Sequence, residues 1–134
     1  MTFAVYEHTR SFPKEEIYGL TAQLRRASYS VPANSAEGAS RESKKDYPHF
    51  LYIARGSLSE AQYFIHLAER LGYLPLEATD ALRQQTKKTF ACVYGLIQAV
   101  EKEAGKLSKL VATVTSLIAI GFVRWSSGQL SVDS

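Results

Sequence analysis

The stretch Leu20–Glu60 constrains the fold more than any other part of the chain. Ile17, Leu20, Leu24, Ala27 and Val31 recur at spacings of three and four. Tyr47, Phe50, Leu51, Ala54, Leu58, Ala61 and Ile65 do the same. That period places each set on one face of a helix. No segment alternates strictly and no Asn-Gly or Asp-Gly turn occurs, so strands find no support.

Breakers set the expected helix ends. Ser11-Phe12-Pro13 opens a second helix, because proline suits a first turn. Glu15 and Glu16 then lie at the positive end of its dipole. This helix is expected to run to Glu37, kinked at Pro32 and stopped by Gly38. A third helix is expected from about Lys44 to Leu71, capped by Ser43 or by Asp46. Gly72-Tyr73-Leu74-Pro75 ends it, and a fourth runs from about Leu76 to Lys106. Its apolar side is Ala81, Leu82, Phe90, Val93, Leu96, Ile97 and Val100. A short turn between two long helices forces an antiparallel hairpin. The expected fold is therefore all-α: an up-down antiparallel four-helix bundle with a short first helix. Residues 1–109 make the bundle domain. Residues 110–134 make an atypical apolar extension, which caps the bundle or packs on another subunit, ending in a tail disordered from Ser126.

Two runs also resemble a known family. Leu20–Gly38 reads L-T-x-Q-L-R-R-A-x-x-S-V-P-A-N-x-A-E-G, and Phe50–Glu60 reads F-L-x-I-A-R-G-S-L-x-E, with L-G-Y-L at Leu71–Leu74. These are similar to the small four-helix-bundle proteins encoded in intervening sequences of bacterial 23S ribosomal RNA genes, related to accessory proteins of diversity-generating retroelements. The resemblance spans roughly Tyr6 to Val100. It implies a homo-oligomer, a pentamer in the best understood relatives, that binds nucleic acid and a reverse transcriptase or another protein. It also implies a first helix starting about ten residues earlier, so a late start here would shorten one wall of the bundle.

Charge distribution says more than the net +3. Arg25–Arg55 holds six basic and three acidic residues, Gly56–Thr86 two and four, and Lys87–Lys109 five and two. Two cationic zones could merge into one patch. Arg25, Arg26, Arg41, Lys44, Lys45, Lys87 and Lys88 are the candidate phosphate contacts, with Lys102, Lys106 and Lys109 beyond them. Each can release counterions from a polyanion, without base readout. Tyr29, Tyr47 and Tyr52 are candidate stacking platforms. Asn34, Glu37 and Arg55 are assigned instead to a buried or semi-buried polar network in which Arg55 bonds Glu37 and Asn34, fixing the angle between helices two and three, since a buried guanidinium needs a carboxylate. The small-residue run at Gly56 reads as close packing inside the bundle in preference to contact with a foreign helix or backbone.

Enzyme chemistry finds little footing. A di-iron bundle needs two Glu-x-x-His motifs, and only Asp46-x-x-His49 comes near. Cys92, within Phe90–Tyr94, reads as a packed thiol, and one cysteine permits no internal disulfide, which fits a reducing cytoplasm. Gly38 and Gly56 are isolated and form no phosphate-cradling loop. No cofactor, metal or membrane span is expected. The run Leu110–Val123 falls short of the ~20 residues that cross a bilayer, and no signal peptide is read at the start.

Overall fold

The computed structural model describes the backbone of residues 1–43 and 45–129, and side chains in these ranges up to Ser116. It is all-helical: α1 (Thr2–His8), α2 (Leu20–Ser40), α3 (Tyr47–Arg70) and α4 (Leu76–Gln129), with short 3-10 turns at Thr9–Ser11 and Lys14–Glu16. The up-down bundle with a short first helix is the fold. Contacts divide the chain into Met1–Val100 and a second unit beginning at Glu101.

The periodic apolar sets become the core of the first unit. Leu20, Leu24 and Ala27 from α2 meet Ala61, Ile65 and Ala68 from α3, with Val5 of α1 and Ala78 and Leu82 of α4. A second cluster joins Val31, Leu51, Ala54, Leu58, Val93 and Ile97. Each leucine or isoleucine fully buried here contributes about 1.5–3 kcal/mol relative to exposure. Two expected members, Ile17 and Ala81, are exposed.

Ile17 is exposed because α2 begins later than the position of Pro13 suggests. Pro13 leads only into a 3-10 turn, and α2 starts at Leu20. The Glu16 carboxylate accepts the Leu20 N–H at 2.8 Å, satisfying one of the orphan donors at the helix start. The same side chain accepts the Tyr73 hydroxyl at 3.3 Å, tying the start of α2 to the α3–α4 turn. That turn closes by a Schellman pattern: Tyr73 N–H donates to the Ala68 carbonyl and Gly72 N–H to that of Glu69, at 2.9 Å each. Gly72 takes φ +74°, the left-handed conformation such a cap requires.

Helix α2 passes through Pro32 and continues beyond the expected stop at Gly38 to Ser40. Gly38 is instead a point of contact. A Cβ there would lie 2.7 Å from Phe50 Cβ and 2.8 Å from Tyr47 Cδ2, so glycine lets α2 and α3 approach. Helix α3 starts at Tyr47 with Asp46 before it and Pro48 in its first turn; neither expected capping side chain makes a cap bond. Helix α4 reaches Gln129, into the stretch expected to be disordered from Ser126; residues 130–134 lie outside the described residues.

Candidate nucleic-acid interface

The arginines of the first cationic zone already have partners. Arg25 is half-buried, donates its Nε–H to Thr9 Oγ1 at 2.8 Å and lies 4.8 Å from the Tyr6 ring centroid. It fastens α1 and its following turn to α2. Arg26 pairs with Glu60 of α3 at 2.8 Å. Arg41 pairs with Glu37 one turn back and stacks 4.9 Å from the Phe50 ring centroid. The planar guanidinium suits both contacts at once. These exposed pairs are individually weak, but they lower the charge available to an outside polyanion.

The lysines differ. Lys45, in the α2–α3 connection, and Lys87 and Lys88, on α4, are exposed. None has an acidic partner among the described residues. Lys102, Lys106 and Lys109 are exposed in the second unit. Lys44 lies outside the described residues.

The expected network of Asn34, Glu37 and Arg55 does not form. Arg55 is exposed and lies 4.8 Å from the Tyr52 ring centroid, while Glu37 is taken by Arg41. The polar link between α2 and α3 is built differently. Asn34 Nδ2 donates to the Ser30 carbonyl at 2.8 Å and to Ser30 Oγ at 2.9 Å, and Ser30 Oγ shares a hydrogen bond with Ser57 Oγ at 2.9 Å. Two hydroxyls cross the seam without placing any charge there, so no carboxylate is needed. Ser30 and Ser57 carry no signal in the sequence beyond being small and polar. The α3–α4 hairpin is clasped by an Arg83–Glu69 ion pair, with Asp80 3.8 Å from Arg83. Arg83, in the acidic middle of the chain, was in neither candidate set.

Gly56 corrects another expectation. Among the described residues nothing lies within 4 Å of a Cβ built there, so Gly56 itself does not serve packing inside the bundle. Tyr52, Gly56, Ser59 and Tyr63 fall at helical spacing and all are exposed, giving α3 an outward face of two aromatic rings around a thin stretch. Tyr29 is also exposed, whereas Tyr47 is half-buried against the second core cluster.

Cys92 is exposed, not packed as expected. It borders an open groove of about 340 Å³ between α2 and α4, which Met1, Thr2, Val31 and Pro32 also line. Among the described residues, no three His, Cys, Asp or Glu side chains converge as metal ligands, and no helix is long and apolar enough to cross a membrane. His49 packs edge-on to Phe50, and His66 Nδ1 lies 3.7 Å from Glu69.

A family model described as 23S rRNA-intervening sequence protein matches residues 1–95. No curated protein matches the chain significantly. Among solved structures, the chain is similar to a crystal structure from Bacteroides thetaiotaomicron VPI-5482, described as a protein with unknown function from the S23 ribosomal protein family. The two are 20% identical with a TM-score of 0.62, over 72% of this chain and 87% of that one. At that identity the likeness shows the fold.

Proposed function

We propose that this chain, which belongs to the 23S rRNA-intervening sequence protein family, is a non-enzymatic, oligomeric accessory protein that binds RNA or DNA through backbone phosphates in the cytoplasm. The observation that carries this reading is the contrast among the cations. Arg25, Arg26 and Arg41 are engaged within the chain. Lys45, Lys87 and Lys88 are exposed and unpaired among the described residues. Among the described candidates, the contact set therefore narrows to these lysines, with Lys44 outside the described residues. Unpaired ammonium groups exposed at the surface suit diffuse phosphate contact without base readout.

Salt titration of binding to an arbitrary RNA tests it. Affinity falls linearly on a log–log scale, by about 0.7–0.9 per phosphate contact. Lys87→Ala with Lys88→Ala flattens the slope by roughly twice that amount. Arg26→Ala leaves the slope nearly unchanged. Absence of binding at low salt would overturn the reading.

A second reading, a protein-interaction scaffold without a nucleic-acid role, draws on the exposed α3 face. A glycine in a helix interior costs about 1 kcal/mol against alanine, and no described residue comes within 4 Å of a Cβ built on Gly56. Close approach of another copy or of a partner such as a reverse transcriptase gives the glycine a use. Tyr52→Ala with Tyr63→Ala then lowers the assembled mass in sedimentation. A wild-type mass of five chains matches the subunit number that the family resemblance implies.

A further inference from the structure

The second unit carries a repeat that the family match, ending at residue 95, does not include. Ala104, Leu107, Val111, Val114 and Ile118 succeed one another at spacings of three, four, three and four, and the same count reaches Gly121 and Trp125. This is a heptad seam with Ala104, Val111 and Ile118 at one core position and Leu107 and Val114 at the other. The helix is continuous through these positions. Leu107 is 55% exposed, Leu110 61%, Val111 57% and Val114 47%, so the described part of the seam is left uncovered. The spacing four before Ala104 is Val100, preceded by Ile97 and Val93; these last two are buried in the bundle core, and the count does not break between them and Ile118.

We infer that residues 101–125 form a self-association helix whose occupant is the same helix of another copy of this chain. Three features select that partner. First, a sustained 3.5-residue apolar repeat fits a like helix, because knobs on one seam enter the holes of its equal. Second, Lys102, Lys106 and Lys109 all fall at heptad positions away from the seam, and no charged residue occupies its core positions from Ala104 to Ile118. Third, the uncharged run Leu110–Val123 is fourteen residues between Lys109 and Arg124. At 1.5 Å per residue that is about 21 Å, short of the ~30 Å hydrocarbon core of a bilayer. Leu110 flanks the seam and widens it, which suits an assembly of more than two helices.

This inference rests on the assembly part of the proposed function and assigns that assembly to a new element. The test is sedimentation equilibrium of the full chain with glutamate on the seam, Val111→Glu with Val114→Glu, against Thr113→Glu on the opposite side. Circular dichroism checks that the bundle remains helical. The seam variant is expected to drop to a smaller mass at a concentration where the wild type and Thr113→Glu assemble. If the seam variant keeps the wild-type mass while Tyr52→Ala with Tyr63→Ala loses it, this inference falls and the assembly reading survives through α3. A wild type that stays monomeric at every concentration removes both. Partition of the wild type onto phosphatidylcholine vesicles, abolished by the seam variant without any change of mass in solution, assigns the seam to lipid and also overturns the inference.

Discussion

Gly38 and Gly56 occupy helix interiors on α2 and α3, yet their surroundings are opposite. Gly38 is buried, and a Cβ would strike Phe50 and Tyr47. Gly56 is exposed, with no described residue within 4 Å of a Cβ built there. The cations divide in a similar way. Arg26 reaches Glu60 across the α2–α3 seam, and Arg41 lies over Phe50 beside the sealed glycine. Lys87 and Lys88 on α4 reach no acid among the described residues. Residue type therefore does not decide the role. What decides it is whether the facing element is close enough to use the group: at the seam the chain satisfies itself, and Lys87, Lys88 and Gly56 on the outer faces are left unused by the described residues.

The largest effect comes from breaking the sealed side. Gly38→Val forces α2 from α3 and is expected to lower stability by about 1–3 kcal/mol, the usual range for overpacking. Urea denaturation measures this, and an unchanged midpoint would mean that the seam is looser than its geometry. Gly56→Ala sharpens the contrast in the opposite direction. With no neighbour to strike, it stabilises the isolated fold by about 1 kcal/mol. A loss of assembled mass in the same variant would show that a second chain uses the space. Arg26→Ala is smaller still, at most about 1 kcal/mol, because its partner Glu60 is exposed and solvent screens the pair. A double-mutant cycle with Glu60→Ala reads the coupling directly.

The smallest effect appears only in alkali. The Tyr73 hydroxyl is pushed above its usual value of 10.0, first by desolvation and then by the negative charge and hydrogen bond of Glu16, with a contribution from Glu15. A tyrosine that holds its proton more tightly when folded stabilises the fold fully below its unfolded pKa. That contribution disappears as pH rises through the folded value. Tyr73→Phe is accordingly expected to remove part of the stability loss seen above pH 10. Urea melts at pH 8 and pH 11 compare the two proteins.

Much of the fold was legible in the sequence. The three-and-four spacing named Leu20, Leu24, Ala27 and Val31 on α2, and Leu51, Ala54, Leu58, Ala61 and Ile65 on α3, and all are buried. The candidate site was less legible. A basic residue in a one-dimensional list carries no record of which carboxylate or ring will face it. Arg25, thus, looked like Lys87 until Thr9 and Tyr6 were seen beside it. Arg55 looked burial-prone between apolar neighbours, but its own helical angle turns it outward over Tyr52. Pro13 signalled a helix start that the Glu16 side chain moved to Leu20.

Periodicity alone thus determined that the chain is helical, which faces are apolar and where the α3–α4 turn falls, because these follow from local spacing and from the backbone limits of glycine and proline. Tertiary structure alone decided which glycine is sealed, which cations are consumed and which hydroxyls bridge the helices. Those outcomes depend on distances of a few ångströms between residues far apart in the chain, and hydrogen bonds and ion pairs weaken steeply over such distances.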